Sequence, residues 1–93
     1  MFGGFIFSSY LFGVNLNIWR YMYSSRDIIE FIIVIVGEFA KRHEMSDTLA
    51  FRYLDKFAAI SYLKNNYGIA HTLPFNDVVD SLSIYCKTRG GTV

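Results

Sequence analysis

The sequence predicts a small, mainly α domain: a bundle of about four helices with one short extended connection. Three observations carry this reading. Apolar residues recur at helical spacing over long stretches, serines and asparagines stand where N-caps are needed, and the single proline, Pro74, leaves the helical stretches before it uninterrupted. A chain of 93 residues also has room for only one modest core.

The first helix is expected over about residues 25–44. Ser24 and Ser25 offer N-caps, and Ser24 with Asp27 three residues on resembles a capping box with Asp in place of Glu. Ile28, Phe31, Ile32, Ile35 and Phe39 follow i, i+3, i+4, i+7, i+11 spacing, while Ile29, Ile33, Val36 and Ala40 form an adjacent row. The run Phe31 to Val36 is β-branched enough for a buried strand, but the helical period continues past it into Lys41 and Arg42. Two apolar rows make a face wider than two or three short helices can cover. Ile29, Ile33 and Val36 are therefore the expected interaction face, partly wet in a monomer and available to a homodimer or a protein partner.

The second helix is expected over 47–56, capped by Ser46 with Asp47 in its first turn. The third is expected over 59–67, with Ile60, Tyr62 and Leu63 turned inward, Lys64, Asn65 and Asn66 turned outward, and Gly68 as its stop. Residues 69–75 read as extended, because Pro74 biases Leu73 away from helical geometry. The last helix is expected over 77–89, capped by Asn76, with Asp77 and Asp80 near its positive end, Lys87 and Arg89 near its negative end, and Gly90 and Gly91 ending it.

Composition divides the chain near residue 22. Residues 1–21 hold seven of the seventeen aromatic residues and a single charge, Arg20, whereas the rest carries eight basic and eight acidic side chains. A secretory signal does not fit, because the positive start is missing and Leu16, Asn17, Ile18 make a poor cleavage site. Two other readings of this stretch stand beside that of a packed N-terminal element. Residues 1–19 are uncharged and nearly long enough to anchor a membrane, with Arg20 and Arg26 holding the helical domain inside, although Ser8, Ser9, Asn15 and Asn17 would carry polar groups into hydrocarbon. Alternatively, translation naturally begins at Met22, and residues 22–93 form a single small helical domain.

Chemistry is sparse. A formal charge of +1 removes the sequence-wide basic excess of a nucleic-acid binder, and no basic recognition helix is evident, which leaves a DNA-binding autoregulator a distant alternative. One cysteine, Cys86, closes no intramolecular disulfide and reads as a buried small hydrophobe. With two scattered histidines it offers no metal-ligand spacing, so no catalytic, cofactor-binding or metal residue is assigned and a cytoplasmic, non-enzymatic protein is expected. His43 reads as part of a solvated helix end. His71 and Thr72 are neighbours whose side chains diverge on an extended segment, a poor nucleophile-base pair, and they read as a structural loop with His71 bonding backbone groups. The tyrosines at 53, 62, 67 and 85 read as packing.

The run Tyr53 to Phe57 through Ile60, Leu63 and Tyr67, then Ala70, His71, Thr72 and Leu73, then Asn76 to Asp80 and Leu82, and finally Tyr85, Cys86, Gly90 and Gly91 resembles a family of small bacterial proteins catalogued as a domain of unknown function, family 3791 of that series. The resemblance covers about residues 24–91, and its distinctive part is His71, Thr72 and Leu73 with Asp77 and Asp80 after them. It implies no catalytic residue. It does imply an antitoxin-like or accessory binding role, because genes of that family lie beside genes for proteins similar to ADP-ribosyltransferases.

Overall fold

The computed structural model describes residues 24–93, and over them the chain is a small helical bundle without strands. Among the described residues five helices occur in order: α1 (Ser25–Arg42), α2 (Asp47–Lys56), α3 (Ala59–Asn65), α4 (Tyr67–Ala70) and α5 (Phe75–Lys87). Residues 1–21, with the anchor and start-site readings attached to them, lie outside the described residues.

Two of the expected caps close as sequence chemistry requires. The Asp27 N–H donates to the Ser24 hydroxyl at 3.1 Å, and the Leu49 N–H donates to the Ser46 hydroxyl at 3.1 Å. Each bond satisfies one of the orphan donors at a helix start.

The end of α1 comes two residues earlier than spacing suggests. Glu44 adopts φ 54°, the Glu44 N–H donates to the Lys41 carbonyl at 3.3 Å, and the Met45 N–H donates to the Ala40 carbonyl at 2.9 Å. That pair of bonds is a Schellman motif built on a non-glycine residue. An L-residue in left-handed geometry costs about 1–2 kcal/mol, whereas glycine adopts it freely. Glu44→Gly is therefore expected to raise stability by about 1 kcal/mol, read as a higher melting temperature in a thermal unfolding series.

The stretch expected as one helix over 59–67 is two. Asn66, with φ −113° and ψ 19°, ends α3 by donating its backbone N–H to the Tyr62 and Leu63 carbonyls, and its own carbonyl accepts from Ile69 and Ala70 to begin α4. Gly68 lies inside α4 and stops nothing, and Asn66, expected to face outward, is fully buried.

The expected extended segment 69–75 is likewise corrected. Ile69 and Ala70 are helical, His71 and Thr72 form a turn, and Pro74 takes φ −58° and ψ 146°. Proline constrains itself and its predecessor, and the turn before it is held by local bonds: His71 Nδ1 to the Tyr67 carbonyl at 2.9 Å and the Thr72 hydroxyl to the Ile69 carbonyl at 2.6 Å. Pro74, rather than Asn76, occupies the N-cap position of α5, so that helix begins at Phe75 and ends at Lys87 instead of spanning 77–89.

A second Schellman motif ends α5, with Gly90 at φ 99°, its N–H on the Lys87 carbonyl at 3.2 Å and the Gly91 N–H on the Cys86 carbonyl at 2.9 Å. Gly91 admits no side chain, because a Cβ there would collide with the Tyr53 hydroxyl and the Cys86 carbonyl. Tyr53 then clasps the last residue: its hydroxyl donates to the Val93 carbonyl and accepts from the Val93 N–H, each at 3.1 Å.

The core forms where α1 packs against α2 and α5 and where α3 packs against all three. Ile35, Phe39, Leu54, Leu63, Val78 and Leu82 are among its fully buried side chains. Small residues Ala50, Ala59 and Ala70 are also fully closed from solvent, which allows short helices to approach closely.

Candidate functional site

An apolar groove of about 680 Å³ runs between α1, α2 and α3. Ile29, Ile32, Ile33 and Val36 of α1 line one side, Phe51 of α2 and Ile60 of α3 face them, and Asp47, Arg52 and Lys64 supply polar rims. Its exposure is unusual for side chains of this kind: Ile33 is 64% exposed, Ile29 54% and Phe51 45%. Single exposed apolar residues are ordinary on protein surfaces, but these three share one concavity and form a contiguous apolar patch.

The expected interaction face is thus divided. Ile29 and Ile33 are exposed, but Val36 is only 6% exposed and belongs to the buried set, which corrects the expectation that it stays partly wet. Ile29 and Val36 are seven residues apart and share a side of the helix, so helix geometry does not separate them. What stands opposite does. The groove continues at its Ile29 end into a smaller hollow lined, among the described residues, by Ser25, Ile28, Ile29 and Lys64, so that a lysine side chain faces the isoleucines. Phe51 carries no mark in the sequence beyond being one of several apolar contacts of the second helix; its place on the groove depends on how α2 crosses α1.

A second cluster joins the end of α1 to α5. Arg42 Nη1 donates to Asp80 Oδ1 at 2.5 Å, and its other nitrogen reaches the backbone carbonyl and side-chain oxygen of Asn76, each at 3.4 Å. His43 Nε2 lies 3.1 Å from the Ser83 hydroxyl, and its ring rests on Phe39 with centroids 4.4 Å apart. His43 is therefore half-buried and tied across the bundle, unlike the solvated helix end that its charged neighbours suggest. A histidine-serine contact of this length could serve nucleophile activation. Here the nearby carboxylate of Asp80 is held by Arg42, so the arrangement reads as a strut between helices.

Burial, and then the cations Arg42 and Lys87, push the His43 pKa below its ordinary 6.5. A folded-state pKa below the unfolded one means that unfolding takes up protons at mildly acidic pH. The stability this contributes is complete above about pH 6.5 and is lost as pH falls through the depressed value. Thermal melts are expected to show a falling midpoint on acidification below about pH 6.5, and His43→Gln should flatten that limb. An unchanged limb in the variant would assign it to other groups.

The remaining residues singled out by sequence stand apart from the groove. His71 stacks on Tyr67, centroids 4.7 Å apart and planes 11° from parallel, while its Nδ1 bonds the Tyr67 carbonyl, and the Thr72 side chain bonds the Ile69 carbonyl. Cys86 is wholly buried, and that burial pushes its thiol up to about 11, away from reactivity. Tyr62 stacks on Tyr85 at 4.1 Å, and the Arg89 guanidinium covers Tyr85 at 3.6 Å. Among the described residues no helix is long and apolar enough to cross a membrane, and no group of three or more His, Cys, Asp or Glu side chains could hold a metal ion.

Comparison with known proteins gives one family. The family model described as "Protein of unknown function (DUF3791)" matches residues 30–89. No curated protein and no solved structure matches the chain.

Proposed function

Because the chain belongs to this family of unknown function, we propose its role from the groove itself: a protein-interaction module that acts by binding rather than by catalysis. The observation that carries the reading is the exposure of Ile29, Ile33 and Phe51 in one apolar concavity. Leaving a large aliphatic side chain in water forgoes about 1.5–3 kcal/mol of burial, a strong drive to associate despite the entropy of association. A concave apolar surface flanked by Asp47, Arg52 and Lys64 suits an amphipathic helix, whose anchors recur at i, i+3 or i+4, and i+7.

The setting we propose is that of a cytoplasmic accessory or antitoxin-like protein working beside an ADP-ribosyltransferase-like protein. The family resemblance of residues 24–91 supports this setting, and the groove supports the binding. A DNA-binding autoregulator has no comparable surface among the described residues to support it, and a membrane-tethered protein would rest on residues 1–19, outside them.

Ile33→Glu tests the reading, because a residue so exposed tolerates a charge in the folded monomer. The full chain is expressed alone and together with the product of its adjacent gene, and complexes are sized by sedimentation. Complexes of any composition should be lost in the variant while helical content and melting temperature hold. Complexes that survive Ile33→Glu overturn the groove as the association surface.

A further inference from the structure

We propose that the groove is occupied by α1 of a second copy of this chain, the two helices crossing antiparallel about a two-fold axis at Ile33. This rests on the reading of the groove as an association surface and names its occupant.

The first argument is steric self-complementarity along α1. Ile29, Ile33 and Gly37 succeed one another at intervals of four residues and so form one stripe of the helix. Ile29 and Ile33 project outward, whereas Gly37 is a notch, with no atom of the described residues within 4 Å of the place a Cβ would occupy. In an antiparallel pair centred on Ile33, residues equally distant from it on either side face each other. Ile29 then meets the partner's Gly37, and symmetry repeats the contact. A bulky side chain facing a glycine lets helices approach closely and interlock, and it makes this stripe complementary to its own inverted copy.

The second argument is charge. An isologous interface brings one patch against itself, so a rim of a single sign would repel its copy. This rim carries both signs, Asp47 against Arg52 and Lys64, and none of the three is in an ion pair within the described residues. Phe51, exposed beside the stripe, supplies the aromatic anchor that buried interface centres favour.

The test uses the full chain. Sedimentation over a concentration series should show a monomer-dimer equilibrium. Gly37→Leu fills the notch without a clash in the monomer and should weaken the dimer by about tenfold or more, the scale of a lost central contact. Adding Ile29→Ala to the same chain should recover much of that loss, because the bulk is exchanged rather than added. Ile33→Cys should form an intermolecular disulfide on mild oxidation, a reaction the buried Cys86 does not share. Circular dichroism confirms that each variant keeps its helices.

A full chain that stays monomeric at high micromolar concentration overturns the proposal, including the case in which only a chain begun at Met22 dimerises, which would make residues 1–21 the occupant. A dimer indifferent to Gly37→Leu overturns it by placing the contact on another face. A dimer that Ile33→Cys fails to cross-link overturns the proposed axis. Loss of a complex with the neighbouring gene product in Ile33→Glu, with the chain alone monomeric, would leave the groove as an association surface and refute only the second copy.

Discussion

Asn66→Asp is expected to cost about 3–5 kcal/mol at neutral pH, close to the whole stability of a domain this small. Asn66 is fully buried between α3 and α4, where its Nδ2 donates to the Tyr62 carbonyl at 2.7 Å. Its Oδ1 is buried with no hydrogen-bond partner within the described residues. A carboxylate in that place would set an acceptor against an acceptor and bury a charge with nothing to balance it. Only the protonated acid can keep the donor. Folding would therefore hold the carboxyl protonated, and a raised folded-state pKa makes the variant gain stability as pH falls toward the unfolded value of about 3.9. Denaturant unfolding at neutral and acidic pH checks both the size and the sign. A variant as stable as the parent at neutral pH would mean that water or a rearranged side chain satisfies the site. Asn66→Ala, which removes the donor without adding a charge, should lose less.

The same residue shows where the sequence stops being legible. Within the run from Ala59 to Tyr67, helical period and composition favour continuing, and Asn66 differs from an exposed helical asparagine only in being enclosed. That enclosure comes from tertiary packing, so nothing local announces the break between α3 and α4. Serines at 24 and 46 are legible, because capping is a local bond between a side chain and a backbone three residues on. Helix ends are legible where glycine marks them, as at Gly90, and illegible where Glu44 and Ala58 take the same left-handed geometry without being glycine. Pro74 promises more than it delivers: it straightens the backbone at its own position, while the turn before it is closed by the side chains of His71 and Thr72.

The groove is legible by half, for a related reason. Periodicity identifies which side of α1 is apolar but not how far along its length α2 and α3 extend. Ile29 and Val36 share a side, and only the crossing of neighbours buries one and leaves the other exposed. Phe51 has no distinguishing mark in the sequence, since an exposed aromatic on a short amphipathic helix looks the same as a buried one until its neighbours are placed.

Phe39→Ala is expected to destabilise the fold by about 3–5 kcal/mol, the usual cost of deleting a fully buried phenylalanine. Phe39 sits where three features meet. Its ring supports the half-buried His43 at 4.4 Å and stacks on Tyr53 at 5.8 Å, and Tyr53 holds the backbone of Val93 through two hydrogen bonds. Removing the ring opens a cavity and also withdraws a wall from each of those side chains. The loss should therefore exceed simple transfer of the missing atoms, and the Val93 amide should exchange with solvent faster than it does in the parent. Phe39→Leu keeps most of the volume and should cost markedly less. Ile33→Ala, on the same helix but exposed, should change monomer stability by no more than about 0.5 kcal/mol. Chemical denaturation of the three variants, each measured under conditions where the chain is monomeric, orders these effects. A small loss at Phe39 with a large one at Ile33 would place the core on the other side of α1, and would remove the exposed apolar stripe on which the association surface depends.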